Sequence, residues 1–213
     1  MRTDAAATTG HVLLVRGASA LGRAIAGRIE AVGGSPSILD RRTSIARAPA
    51  AKVELARPGP TAGAINALAW DHGPFSGLVL CPPPERSVPD LDGEQRWEHR
   101  LATEVLEIAT VLRAALPRMA RRATCTVLVG VPPPGRGSRD HADDTRGVLA
   151  VTDEVVLALV RGLVEELTPD VAVRSVPTPG ADDARGILRV VDEALDVRQT
   201  VTQVVTGTGR SRA

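Results

Sequence analysis

The 213-residue sequence predicts the α/β class: one doubly wound parallel sheet of about seven strands, with helices on both faces. Two observations lead there. Short aliphatic and β-branched runs alternate in strict order with longer stretches of helical periodicity. The short runs are also apolar at nearly every position, as strands covered on both faces of a parallel sheet must be.

His11 to Gly17 (HVLLVRG) reads as a buried first strand, and Leu21 to Val32 as the helix after it. Ser37 to Asp40 is the second strand, Lys52 to Leu55 a short third, and Thr61 to Asp71 a helix. Gly77 to Cys81 forms the fourth strand, stopped by Pro82, Pro83 and Pro84, which cannot extend a central ladder. A long helix from about Gln95 to Met119 leads into the strand Thr126 to Val131, closed by Pro132 to Pro134. The polar stretch GRGSRDHADDTRG reads as a loop, followed by a helix over about Val148 to Leu167 and a strand over Val171 to Val176. A helix near Ala184 to Leu195 and a last strand, Thr200 to Thr206, complete the order. Residues 11–209 are expected to form one domain, with tails at 1–10 and 210–213.

Apolar residues make up 43% and charged residues 24%, and the net charge of +1 offers no electrostatic attraction to nucleic acid. Nothing in the sequence has the length of a membrane span or the form of a secretory signal, so a cytoplasmic protein is expected. Cys81 and Cys125, read as the end of one strand and the start of the next, are expected at opposite edges of the sheet, too far apart to bond. Two unpaired thiols fit a reducing compartment. Asp140, His141, Asp143 and Asp144, taken as loop residues, make poor metal ligands because a loop fixes no ligand spacing.

The stretch Val15-Arg16-Gly17-Ala18-Ser19-Ala20-Leu21-Gly22 resembles the glycine turn that ends the first strand in the short-chain dehydrogenase/reductase family, a Rossmann-type fold. The resemblance runs on through Asp40 at the end of the second strand, Trp97 in the long helix, and Val160 to Leu167, similar to the family's "LTRxLAxEL" run. It continues through Pro179-Gly180 to Gln203–Gly209, similar to the terminal "GQxLxVDGG". By this resemblance Gly17, Ser19, Leu21, Gly22, Asp40 and Arg41 are the candidate cofactor-binding residues. The turn is one residue short, its middle glycine is missing, and Arg16 replaces threonine. Arg41 and Arg42 stand where NADP-preferring members carry a base, which leaves two readings open: residual NADP(H) affinity, or a solvated pair of arginines.

The resemblance further implies an Asn-Ser-Tyr-Lys catalytic set, and the chain lacks it: the sequence has no tyrosine, one lysine (Lys52) and one asparagine (Asn66). A GC-rich codon bias accounts for the general scarcity of these residues, but catalytic positions resist such drift. Matching the Val160 to Leu167 run places Leu149 at the tyrosine position and Asp153 at the lysine position; Val131 or Pro132 falls at the serine and Glu104 near the asparagine. A leucine cannot donate a proton, and an aspartate inverts the lysine charge. No catalytic residue is therefore assigned, and no cofactor is required. The helices over 95–119 and 148–167 carry apolar residues around much of their girth, and in the family these two helices pair across a two-fold axis. The expected function is a non-catalytic subunit supporting an active, ketoreductase-type member of the family in a hetero-oligomer, a homo-oligomer being the alternative assembly. The competing expectations are a divergent NADP(H)-dependent reductase using Asp153 or Glu104 as its acid, and a stand-alone protein that reuses the cleft for another ligand.

Overall fold

The computed structural model describes residues 10–41, 48–82, 93–130 and 139–178. Its strands are β1 (His11–Val15), β2 (Ser35–Asp40), β3 (Ala50–Lys52), β4 (Phe75–Leu80), β5 (Met119–Gly130) and β6 (Ala172–Thr178). The helices are α1 (Ala20–Ala31), α2 (Pro58–His72), α3 (Gly93–Ala115) and α4 (Arg139–Leu167). All six strands run parallel in the order β3-β2-β1-β4-β5-β6. The expected helix near 184–195, the seventh strand at 200–206 and the two tails fall wholly or largely outside the described residues.

Alternation along each strand sorts the core into two layers. Leu14, Ile38, Val79 and Leu128 pack with Ile25, Ala26 and Ile29 of α1 on one face. Leu13, Val15, Leu39, Leu78, Leu80 and Val127 point to the other, where α2, α3 and α4 bury Ile65, Leu68, Ile108, Val111, Val156 and Val160. Among the described residues no helix is long and apolar enough to cross a membrane.

Several boundaries differ from the sequence reading, the long helix among them, which ends at Ala115 rather than Met119; four differences have a plain physical reason. β2 starts at Ser35 and includes Pro36, because β3 pairs with β2 only from Ile38 onward and leaves Pro36 no ladder partner on that side. β3 spans Ala50–Lys52 rather than 52–55; Val53 and Leu55 are core residues beyond the strand, so their hydrophobicity reported burial instead of pairing. β5 begins at Met119: Phe75 faces Met119 and Gly77 faces Thr124, so β5 carries extra residues there, with Arg122 in the left-handed region at φ 61°. Charged Arg121 and Arg122 hid this half of the strand. α4 begins at Arg139, so the stretch from Asp140 to Gly147 is helix, not loop. Its first turns lack apolar periodicity, but Asp140, Asp143 and Asp144 are the acidic residues that a helix N-terminus favours.

The register also corrects the placement of the cysteines. Cys125 faces Leu78 in the middle of the sheet, and Cys81 lies three residues beyond Leu78, just past the end of the adjoining strand β4. Both thiols are free and buried, Cys125 in the layer under α3 and α4, Cys81 in the layer under α1. They are separated by the sheet itself as well as by three residues along it.

Candidate functional site

In an open parallel sheet a ligand crevice forms where the strand order reverses, outside the carboxyl ends of the strands. Here the reversal lies between β1 and β4, since β2 and β3 extend to one side and β5 and β6 to the other. Arg16 is the first residue past β1 and Cys81 the first past β4, joined by the Cys81 N–H donating to the Val15 carbonyl at 3.1 Å. Asp40 ends β2, Arg41 follows it, and Glu54 lies just past β3.

The turn after β1 brings together most of the candidate residues. Arg16 adopts φ 58°, a left-handed conformation that swings the chain sharply out of the strand. Ser19 caps α1, its hydroxyl accepting from the Gly22 N–H at 3.0 Å. Gly22 lies so close to Gly17 that a Cβ would come within 2.4 Å of the Gly17 carbonyl oxygen, and only glycine lets α1 seat against β1 here. The Asp40 carboxylate accepts from the Ala18 N–H at 2.9 Å. Leu21, in the first turn of α1, packs at the edge of the α1 layer.

Arg16 and the acidic residues of α3 complete the arrangement. The Arg16 guanidinium donates to Glu107 Oε2 from Nη2 at 2.7 Å and Nε at 3.2 Å, to Glu104 Oε1 at 3.1 Å and to the Cys81 carbonyl at 3.4 Å. Arg16, Glu104 and Glu107 are only 7%, 6% and 4% exposed. Arg41 reaches the other oxygen of the same Glu107 carboxylate and pairs with Glu54 Oε1 at 2.8 Å, where both side chains are about half exposed. One chain of charges thus ties the carboxyl ends of β1, β2 and β3 to α3. Cys81, under this network, has its thiol pushed up to about 12 by burial, with the Arg16 charge opposing and Asp40 reinforcing. Cys125 is likewise pushed up to about 12 by burial, which favours the neutral thiol in both residues.

A dinucleotide needs backbone N–H groups at the helix start for its pyrophosphate, a carboxylate for its ribose and a cation for any further phosphate. As arranged, several of the groups present already have partners within the chain. The Ala18 and Gly22 N–H groups donate to Asp40 and Ser19 side chains, and the Arg41 cation faces Glu107 and Glu54. The sequence reading named Gly17, Ser19, Leu21, Gly22, Asp40 and Arg41, and the fold brings all six to the same edge. It missed Glu107 and Glu54. A signal was present: Glu104 and Glu107 share the α3 face that continues through Ile108 and Val111, and acidic residues on a buried stripe require cations.

Comparison with solved structures identifies the architecture. A double variant of a Serratia marcescens short-chain dehydrogenase/reductase matches with a TM-score of 0.64 at 16% identity, over 87% of this chain and 89% of that one. The ligand-free aldohexose dehydrogenase of Thermoplasma acidophilum matches with a TM-score of 0.62 at 15% identity, covering 86% of this chain and 77% of that one. The fold is that of the short-chain dehydrogenases/reductases. An NADH-dependent reductase solved with NAD matches with a TM-score of 0.62 at 10% identity, over 81% of this chain and 79% of that one. No family model matches the chain, and no curated protein matches it by sequence. At these identities the likeness concerns the oxidoreductase-like fold.

Proposed function

We propose that this chain is a non-catalytic subunit that associates with a catalytically active short-chain dehydrogenase/reductase of ketoreductase type and supports it in a hetero-oligomer. One observation carries the reading. Arg16, at the position of the turn threonine, and Glu104, near the position of the catalytic asparagine, form a buried ion pair with each other. Two positions that would serve cofactor and substrate are turned into internal structure. Leu149 and Asp153, at the tyrosine and lysine positions, supply neither the proton donor nor the cation that carbonyl reduction in this fold requires. With the reductase chemistry missing, the use of the scaffold that these residues favour is the surface it offers to a partner.

That surface lies on α3 and α4. Their buried stripes, through Ile108, Val111 and Leu112 and through Val156, Val160 and Val164, cover the sheet. Leu106 and Val155 point elsewhere, at 52% and 39% exposure. Apolar residues outside the sheet-covering stripe suit a helix-on-helix interface.

The test is recovery of the tagged chain from its native host, followed by native mass spectrometry with and without NADPH. A stoichiometric reductase carrying the full Asn-Ser-Tyr-Lys set is the expected partner. A homo-oligomer that takes up NADPH would instead favour a divergent reductase, and one indifferent to NADPH a stand-alone binding protein.

A further inference from the structure

We infer that the crevice of this fold is closed from within: the Arg16–Glu104–Glu107–Arg41–Glu54 network takes the place of a bound nucleotide and holds α3 to the strand ends that a nucleotide would otherwise bridge. Position argues for it first. Arg16 and Cys81 lead off the two strands that flank the reversal, and the guanidinium spans them, 3.4 Å from the Cys81 carbonyl and 3.1 Å from Glu104. Arg41 and Glu54, past the ends of β2 and β3, extend the same network to the side where the adenosine half of a dinucleotide lies in this architecture.

Charge argues for it as well. Glu107 is the hub, one carboxylate oxygen turned to Arg16 and the other to Arg41. A phosphate entering beside Glu104 and Glu107 meets two buried like charges. A phosphate that captured the arginines would strand those carboxylates without their cations, a loss that alone lowers affinity on the order of a hundredfold. The network therefore does the bridging that a dinucleotide does in an active relative, and makes the chain's crevice indifferent to nucleotide supply.

Calorimetric titration of the full chain with NADPH, NADH and inorganic pyrophosphate tests this, alongside Glu107→Gln and Glu54→Gln variants checked for native circular dichroism. The unaltered chain is expected to take up none of the three up to about 1 mM. Glu107→Gln keeps the side-chain shape but removes the carboxylate that the two arginines share, leaving Arg16 only Glu104 and Arg41 only Glu54, and is expected to bind pyrophosphate roughly tenfold more tightly or better. Glu54→Gln, at the half-exposed end, is expected to give a smaller gain, and it carries the comparison if Glu107→Gln fails to fold. Micromolar binding of either dinucleotide by the unaltered chain overturns the inference, as does a folded variant pair with no gain in pyrophosphate binding. The inference goes beyond the subunit reading, and the two fail separately. A chain that binds no nucleotide and captures no reductase keeps the closed crevice and loses the partner; one that binds nucleotide and captures a reductase does the reverse.

Discussion

His11 opens β1 from a buried position in which both ring nitrogens are engaged. Nδ1 donates to the Gly73 carbonyl at 2.8 Å, since a carbonyl can only accept, and Nε2 therefore accepts from the Ser37 hydroxyl at 2.7 Å. Phe75 and the edge of His72 enclose the ring. Burial is the largest influence and lowers the His11 pKa below 6.5; the Gly73 carbonyl opposes this and the His72 charge adds to it. With a folded pKa below the unfolded one, the unfolded chain binds more protons in the window between them. Stability is then full above 6.5 and falls as the pH drops through that window. Denaturant unfolding at a series of pH values is expected to show this loss, and His11→Gln, which does not titrate, to flatten it. A slope unchanged in the variant would assign the acid sensitivity to other groups. The sequence displayed His11 as a histidine at a strand start with no partner in view, because Gly73, Ser37 and Phe75 meet it only across the sheet.

At the level of elements, the turn into α1 was legible and the buried faces of α3 and α4 only partly so. Gly17 and Gly22 stood out by spacing, and the structure gives Gly22 its reason: a Cβ there would enter the Gly17 carbonyl. Gly22→Ala is expected to cost about 1–3 kcal/mol through the overpacked helix–strand contact, read as a lower denaturation midpoint at unchanged slope. Gly27→Ala is the control, because a Cβ at Gly27 meets nothing within 4 Å and alanine favours the helix. On α3 and α4 the apolar breadth read from sequence resolves into a buried stripe and a few outward residues. Paired Leu106→Arg and Val155→Arg changes are expected to leave monomer stability within about 0.5 kcal/mol and to weaken oligomerisation, measured by sedimentation. Unchanged assembly would remove α3 and α4 from the interface. The start of α4 escaped the sequence reading because hydrophobic period reports only helices that bury a side, and its first turns from Arg139 are polar.

For the whole molecule, strand hydrophobicity, proline and glycine punctuation and the alternating order of elements sufficed to determine a parallel α/β sheet, since each is a local property of the chain. The absence of tyrosine was equally plain, because a residue type that is missing needs no geometry to be noticed. The tertiary structure alone decided what became of the crevice. Arg16, Arg41, Glu54, Glu104 and Glu107 are spread over a sequence separation of 91 residues, yet they meet at one sheet edge. Whether an arginine beside a glycine turn awaits a phosphate or already holds a carboxylate depends on which helix packs over the strand ends. Ion pairing acts over a few ångströms of space, and the order of residues along a chain does not report that distance until the sheet has brought its strands together.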